Sequence, residues 1–164
     1  MENVATHDDW KVCFSELAPG LVLFAQQWVR SSADAEDVVQ EAFVRFWRRD
    51  LSIKNRALLY AAVRSAALDR IRGEQRRARR EAAVALDGDR HYEPQFTSVD
   101  EDQQQLAAAV ERLPDVQREV VILKIWNDLT FAEIAEVLEI SPNTAASRYR
   151  YALEALKKIL QPHE

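Results

Sequence analysis

The chain has 164 residues, 48% of them hydrophobic and 30% charged, with a net charge of −5. Such a length lies between one domain and two small ones, and the composition is that of an ordinary globular protein. The single Cys13 excludes a disulfide framework and a Cys-rich zinc site, and no run approaches the ~18 apolar residues of a membrane span.

Residues 1–10 carry acids where a leader would be basic and then apolar, so a cytoplasmic setting without membrane insertion is expected. From Phe14 to about Arg80 the apolar periodicity is helical, with no strand alternation. Asp34 reads as a helix cap, with Glu36 and Asp37 in the first turn, where the helix dipole favours acids. Val38, Ala42, Phe43 and Phe46 share one face, Val39 and Trp47 flank it, and Gln40, Glu41, Arg45 and Arg48 fall opposite. A loop from Asp50 to Asn55 precedes another long helix. Its buried stripe is Leu59, Ala62, Val63, Ala66 and Ala67, extended by Ile71.

Between residues 82 and 105 the periodicity fades. Asp87-Gly88-Asp89 signals a turn, Pro94 breaks the pattern, and the acids repel one another. We read 82–105 as a flexible acidic linker between a helical domain at 1–81 and a second at 106–164. The expected fold class is all-α, with two small helical domains.

The second half is more sharply punctuated. Pro114 suits the first position of a helix running to about Trp126. Thr130 and Glu133 have the spacing of a capping box, opening a short helix to about Leu138. Ser141-Pro142 supplies a cap and a first-turn proline for a helix to about Leu160. Ile134, Ala135, Leu138 and Ile140 face inward, and Ala145 is small where the two helices cross. Two helices joined by so short a turn form a helix-turn-helix, although Glu139 stands where a glycine is common.

The second of those helices would place its first turns in a DNA major groove. Asn143, Thr144, Ser147 and Arg148 are the candidates for base edges, with Ala146 beside them and Arg150 and Tyr151 better placed for phosphates. Charge supports this locally. Residues 64–80 hold seven arginines against Asp69 and Glu74, a local +5, and residues 141–158 have four cations against Glu154, a local +3. The acids gather in 1–41 and 81–105, each at −6. Local potential, not net charge, steers phosphate binding. Catalysis finds no support: His7, His91 and His163 are isolated, Cys13 has no evident base, and neither a phosphate loop nor a metal-ligand spacing occurs. No cofactor is expected.

Two stretches resemble a known family. Asp34-Ala-Glu-Asp-Val-Val-Gln-Glu-Ala-Phe-Val-Arg-Phe-Trp47 is similar to the polymerase-binding helix in region 2 of sigma-70 initiation factors. Leu113-Pro-Asp-Val-Gln-Arg-Glu-Val-Val, Thr130-Phe-Ala-Glu-Ile-Ala and Ser141-Pro-Asn-Thr-Ala-Ala-Ser-Arg resemble region 4. Their order and spacing match the extracytoplasmic-function (ECF) class, which lacks region 3. The resemblance implies a non-enzymatic factor that binds core RNA polymerase and directs initiation at promoter DNA. Asp34, Glu36, Asp37, Gln40, Glu41 and Arg45 would dock on the clamp helices of the largest polymerase subunit, and region 4 would contact a further subunit. The loop Asp50–Arg56 and the helix Leu58–Arg72 would read and help melt the −10 element, through Lys54, Asn55, Arg56, Arg64, Ser65, Asp69 and Arg72. The 141–151 helix would read the −35 element. The class is commonly held inactive by an anti-sigma protein, so such a partner is expected. Ala145-Ala146 replaces a common Val-Lys, which removes one phosphate contact. The alternative is a helix-turn-helix regulator that acts without being a polymerase subunit.

Overall fold

The computed structural model describes residues 7–29, 31–49, 55–81 and 101–161, and every regular element among them is helical. The chain forms two compact units, residues 1–93 and 94–164.

In the first unit α1 (His7–Ala25), α2 (Ser32–Arg48) and α3 (Arg56–Glu81) pack pairwise against one another. α1 begins earlier than the periodicity from Phe14 indicates, because Asp8 and Asp9 suit its first turn and Trp10 is buried. It also continues through Pro19, whose missing N–H costs one helical hydrogen bond. Fully buried Leu21 and Phe24 lie beyond the proline and hold the helix on the core. Phe43 of α2 meets Phe14 and Trp10 edge-on, with ring centroids 4.9 and 6.4 Å apart. Phe24 likewise meets Trp28 at 4.9 Å and lies 5.8 Å from Tyr60 of α3. Such aromatic pairs add about 0.5–1.5 kcal/mol each beyond their buried area. Buried Gln26 is satisfied by donating Nε2 to Ser32 Oγ at 3.1 Å, which fixes the α1–α2 turn.

The start of α2 corrects an expectation. Ser31, not Asp34, is the cap: its hydroxyl accepts from Asp34 N at 3.0 Å, which puts Asp34 inside the first turn. The stripe expected on α2 is buried, with Ala35 added; Trp47, expected at its margin, is 53% exposed. On α3, Leu59, Val63, Ala66 and Ala67 are buried as expected, together with Ala57 and Tyr60, whereas Ala62 and Ile71 are only half-buried. α3 ends at Glu81, in line with the helical periodicity read to about Arg80. The expected loop at 50–55 lies outside the described residues except for Asn55, whose Oδ1 accepts from Leu58 N at 3.3 Å.

The second unit contains α4 (Glu101–Glu111), α5 (Asp115–Val121), α6 (Phe131–Leu138) and α7 (Pro142–Leu160). Residues 82–100 of the expected linker lie outside the described residues; its last five residues, 101–105, are the first of α4. Pro114 is the cap of α5 and not its first helical residue. Arg118 closes the α4–α5 turn by donating Nη2 to Glu111 O and Leu113 O at 2.9 and 2.8 Å. α5 passes into a π-helical turn at Ile122–Trp126, so its end near Trp126 is as expected but with a widened last turn. Leu129 N donates to Leu123 O and Asn127 Nδ2 to Ile122 O, each at 3.1 Å, which satisfies the carbonyls there.

The helix-turn-helix is α6 and α7. Thr130 and Glu133 form a complete capping box, and Ser141 Oγ accepts from Thr144 N at 3.1 Å, with Pro142 in the first turn. Ile134, Ala135 and Leu138 are buried and Ile140 is half-buried, while Ala145 and Ala152 are fully buried where α7 crosses. The turn is held by Glu139, left-handed at φ 56 and ψ 47. Ile140 N donates to Ala135 O at 3.0 Å and helps close the end of α6.

A glycine occupies that backbone conformation without a Cβ clash. Glu139→Gly is expected to stabilise the second unit by up to about 1 kcal/mol, seen by calorimetry of the full chain as a rise of a few degrees in one transition. Glu139→Val should lower the same transition; equal midpoints for both variants contradict a strained turn.

Candidate nucleic-acid and partner interfaces

Three solvent-facing surfaces collect the residues singled out in the sequence. The first is the outer side of α2. Glu36, Asp37, Gln40, Glu41 and Arg45 are exposed, and Glu41 and Arg45 form an i, i+4 ion pair at 2.6 Å. Asp34 is half-buried and turned toward α3. Arg70 donates to Asp34 O at 3.2 Å and lies 3.4 Å from its carboxylate and 3.9 Å from that of Asp37. Asp34 therefore helps to join α2 to α3, a role that short-range sequence reading misses because the partner is 36 residues away. Val44, 41% exposed, and Trp47 fall on the same side as Gln40 and Asp37. Sequence periodicity left both outside the candidate set. The surface is thus acidic and polar with two apolar groups in it, the mixture that protein interfaces use as anchor and rim.

The second surface is on α3. Ser65, Asp69 and Arg72 share one exposed side, with Arg72 3.6 Å from Asp69. Arg64 lies on another side, half-buried, its guanidinium 5.8 Å from the Trp28 ring centroid. Arg56 is half-buried in the first turn, and Asn55 is engaged as a cap. Lys54 lies outside the described residues. The structure therefore groups Ser65, Asp69 and Arg72, and separates Arg64 and the helix start from them.

The third surface is the start of α7. Asn143 and Arg150 are exposed and Ser147 half-exposed on the side away from the core, flanked by Ala146 and Tyr151. The Arg150 guanidinium stacks 5.3 Å from the Tyr151 ring centroid. Thr144 is partly occupied at the cap, its hydroxyl 2.8 Å from that of Ser141. Arg148 is half-buried at the flank nearer the core. Tyr149 packs on Phe131 at 5.6 Å and orients α7 on α6.

Among the described residues no group of three His, Cys, Asp or Glu could hold a metal ion, and no helix is long and apolar enough to cross a membrane. Burial, with the Glu16 carboxylate nearby, pushes the Cys13 thiol above its usual value.

Against this geometry the comparisons with known proteins are direct. Residues 13–77 match sigma-70 region 2 and residues 103–156 match sigma-70, region 4. The chain is 30% identical over 161 residues to the ECF RNA polymerase sigma factor SigL of Mycobacterium tuberculosis, covering 92% of this chain and 88% of the relative. The chain belongs to the ECF sigma factors of RNA polymerase. It is also 31% identical over 142 residues to SigW of Bacillus subtilis, covering 78% and 76% of the two chains. With SigK of Mycolicibacterium vanbaalenii it shares 29% over 140 residues, 80% and 71%. Among solved structures, the sigma factor RpoE of Bartonella quintana, crystallised with the anti-sigma factor NepR, shares the fold at a TM-score of 0.69. Identity is 23%, over 96% of this chain and 99% of that one. As an ECF sigma factor the protein directs transcription by RNA polymerase; α2 and most of α3 lie in the region 2 match, and α6 and most of α7 in the region 4 match.

Cys13 gives a test of the N-terminal packing. A thiol with a raised pKa stays protonated at neutral pH, and the thiolate is the nucleophile. Alkylation of the folded protein at pH 8 should be several-fold slower than in denaturant; equal rates contradict the half-buried placement.

Proposed function

We propose that this ECF sigma factor docks on core polymerase through the outer face of α2 and reads promoter DNA through α3 and α7. The observation that carries the reading is the helix-turn-helix itself. α7 is capped by Ser141 with Pro142 in its first turn, seated by Ala145 and Ala152, and presents Asn143, Ser147 and Arg150 away from the core. Asn and Arg side chains suit adenine and guanine edges in a major groove, and the helix N-terminus favours phosphate. In this reading α7 takes the −35 element as duplex, with Asn143, Thr144, Ala146, Ser147 and Arg148 near the bases and Arg150 and Tyr151 on the backbone.

The −10 element falls to the loop after α2 and to α3, through Lys54, Asn55, Arg56, Arg64, Ser65, Asp69 and Arg72. A base taken out of the stack needs a pocket, and its backbone needs cations. The face Asp34, Glu36, Asp37, Gln40, Glu41 and Arg45 meets the clamp helices of the largest subunit, with Trp47 and Val44 as apolar anchors. Region 4 contacts a second subunit, and an anti-sigma protein holds the factor inactive; the complex of the similarly folded RpoE with the anti-sigma factor NepR supports a partner of that kind. A cytoplasmic site of action follows from the polymerase. Sigma factors are not enzymes, so each unit has only binding to perform. Two weak readers gain avidity once polymerase fixes their separation.

Core-binding and promoter-binding measurements on the same variants test the division of labour. Asp37→Arg and Trp47→Ala are each expected to weaken core binding at least tenfold with the fold intact. Arg148→Ala and Asn143→Ala should leave core binding unchanged and cost about 1–3 kcal/mol of promoter affinity, with relaxed preference at one −35 position. Loss of core binding in the α7 variants, or wild-type core affinity in both α2 variants, contradicts the assignment.

A further inference from the structure

Lys124 lies in the π-helical turn that follows α5, and its side chain is half-buried. A lysine ammonium is strongly hydrated and leaves water only where fixed partners replace it. Here both partners are uncharged: Lys124 Nζ donates to Leu129 O at 3.1 Å and sits 4.7 Å from the centroid of the Phe131 ring. Among the described residues no carboxylate is paired with it. A ring face attracts a cation at that range. The site is rigid on the far side as well. Leu129 is fully buried and its N–H donates to Leu123 O at 3.1 Å, so the π turn engages both of its backbone groups. Thr130 then caps α6, and Phe131 is the first residue of that helix.

The ring that carries the cation also meets the next helix. Phe131 and Tyr149 pack edge-on, with ring centroids 5.6 Å apart and planes at 60°. Tyr149 stands between Arg148 and Arg150, one turn after Ala145 and Ala146. Between Pro142 and Ala152 the buried side chains of α7 are both alanines, Ala145 and Ala152. Their methyl groups fix how closely α7 approaches, but they reach too short a distance from the axis to resist rotation. The Tyr149 ring, held off to one side, resists it by leverage. A side chain at the helix surface lies roughly 5–6 Å from the axis, so a rotation of about 10° moves it by about 1 Å. Directed hydrogen bonds tolerate about 0.5 Å. The rotation of α7 therefore decides discrimination between bases, whereas attraction to phosphates is long-range and carries no sequence information.

We propose that Lys124 is a positioning residue for base reading: held over Phe131, it fixes that ring against Tyr149 and so sets the rotation of α7 on α6. The proposal rests on the reading of α7 as the −35 helix, and it assigns specificity to three side chains outside the set that meets DNA. Lys124→Met keeps the length of the apolar stem and removes the cation and the donor; Lys124→Arg keeps both. Each full-length variant is assembled with core polymerase. The complex is titrated with a promoter selected by the wild type and with the same promoter carrying a scrambled −35 element, between about 50 and 200 mM salt.

Lys124→Met should shrink the affinity ratio between intact and scrambled promoters by roughly fivefold or more, with the scrambled promoter bound as before and its salt slope unchanged. Lys124→Arg should restore the ratio. Tyr149→Leu, which leaves the π turn untouched, should shrink it too. Adding Lys124→Met to Phe131→Leu should cost no more than Phe131→Leu alone, since both act through one ring. In the free protein, NMR cross-peaks between the Phe131 and Tyr149 rings should be present in the wild type and in Lys124→Arg, and weakened in Lys124→Met. A salt slope lower by about one unit overturns the proposal, because Lys124 would then be a phosphate contact. A lowered melting midpoint with the ratio intact in the folded protein also overturns it, and so do unchanged ring cross-peaks in Lys124→Met. If the wild type shows no −35 preference and Asn143→Ala and Arg148→Ala are silent, the α7 reading falls; the ring cross-peaks then decide the positioning of α7 by themselves.

Discussion

Each unit of this protein is so small that its helices have one face to bury and the rest to expose. α2 spends Ala35, Val38, Val39, Ala42, Phe43 and Phe46 on the core, and α7 spends Ala145, Ala152 and Leu156. Every other position on those helices is solvent-facing or marginal. Where the protein can bind anything is therefore decided by which stripe the core consumes. The outward side of α2 is left acidic, that of α3 basic toward its end, and that of α7 polar with Asn143 and Arg150. One constraint produces three chemically different surfaces.

That constraint also explains why the fixing interactions lie at helix ends and between helices. Ser31, Asn55, Thr130 and Ser141 each accept from a backbone amide in the first turn of the following helix. Such caps contribute about 1 kcal/mol apiece, a sizeable part of the stability of units this size. Arg70 ties α3 back to the start of α2, and Arg118 ties α5 to the end of α4. The positions of the candidate binding side chains depend on these ties as much as on the cores. Arg70 holds Asp34 against α3, so the exposed part of the acidic face begins at Glu36 and Asp37.

Much of the second unit was legible in the sequence, because its signals are local. The capping box at Thr130, the Ser-Pro start at Ser141 and the end near Leu160 follow from residues within four positions of each boundary. The left-handed Glu139 was legible only as a missing glycine. The start of α2 is ambiguous in the sequence because Ser31, Ser32 and Asp34 are all capping types within four residues, and the structure uses Ser31. The π turn at Ile122–Trp126 has no residue signature, and Pro19 within α1 contradicts local preference until Leu21 and Phe24 are seen in the core. Trp47 looked like a margin of the buried face, yet periodicity cannot tell which way a residue at the edge of a stripe will fall. Of the three surfaces, α7 could be argued from residue chemistry. The acidic face of α2 could not, since by composition it reads as a solubilising surface, and only the family resemblance gave it a partner.

The central claim is that one chain carries two separate promoter readers to a single polymerase. Run-off transcription by core polymerase with the full-length protein, on a template library randomised upstream of the start site, tests it most directly. The account predicts transcripts only when the protein is added, from templates sharing two motifs at a fixed separation near −10 and −35. Transcripts that select a single motif, or DNA binding with no core-dependent initiation at all, would contradict it.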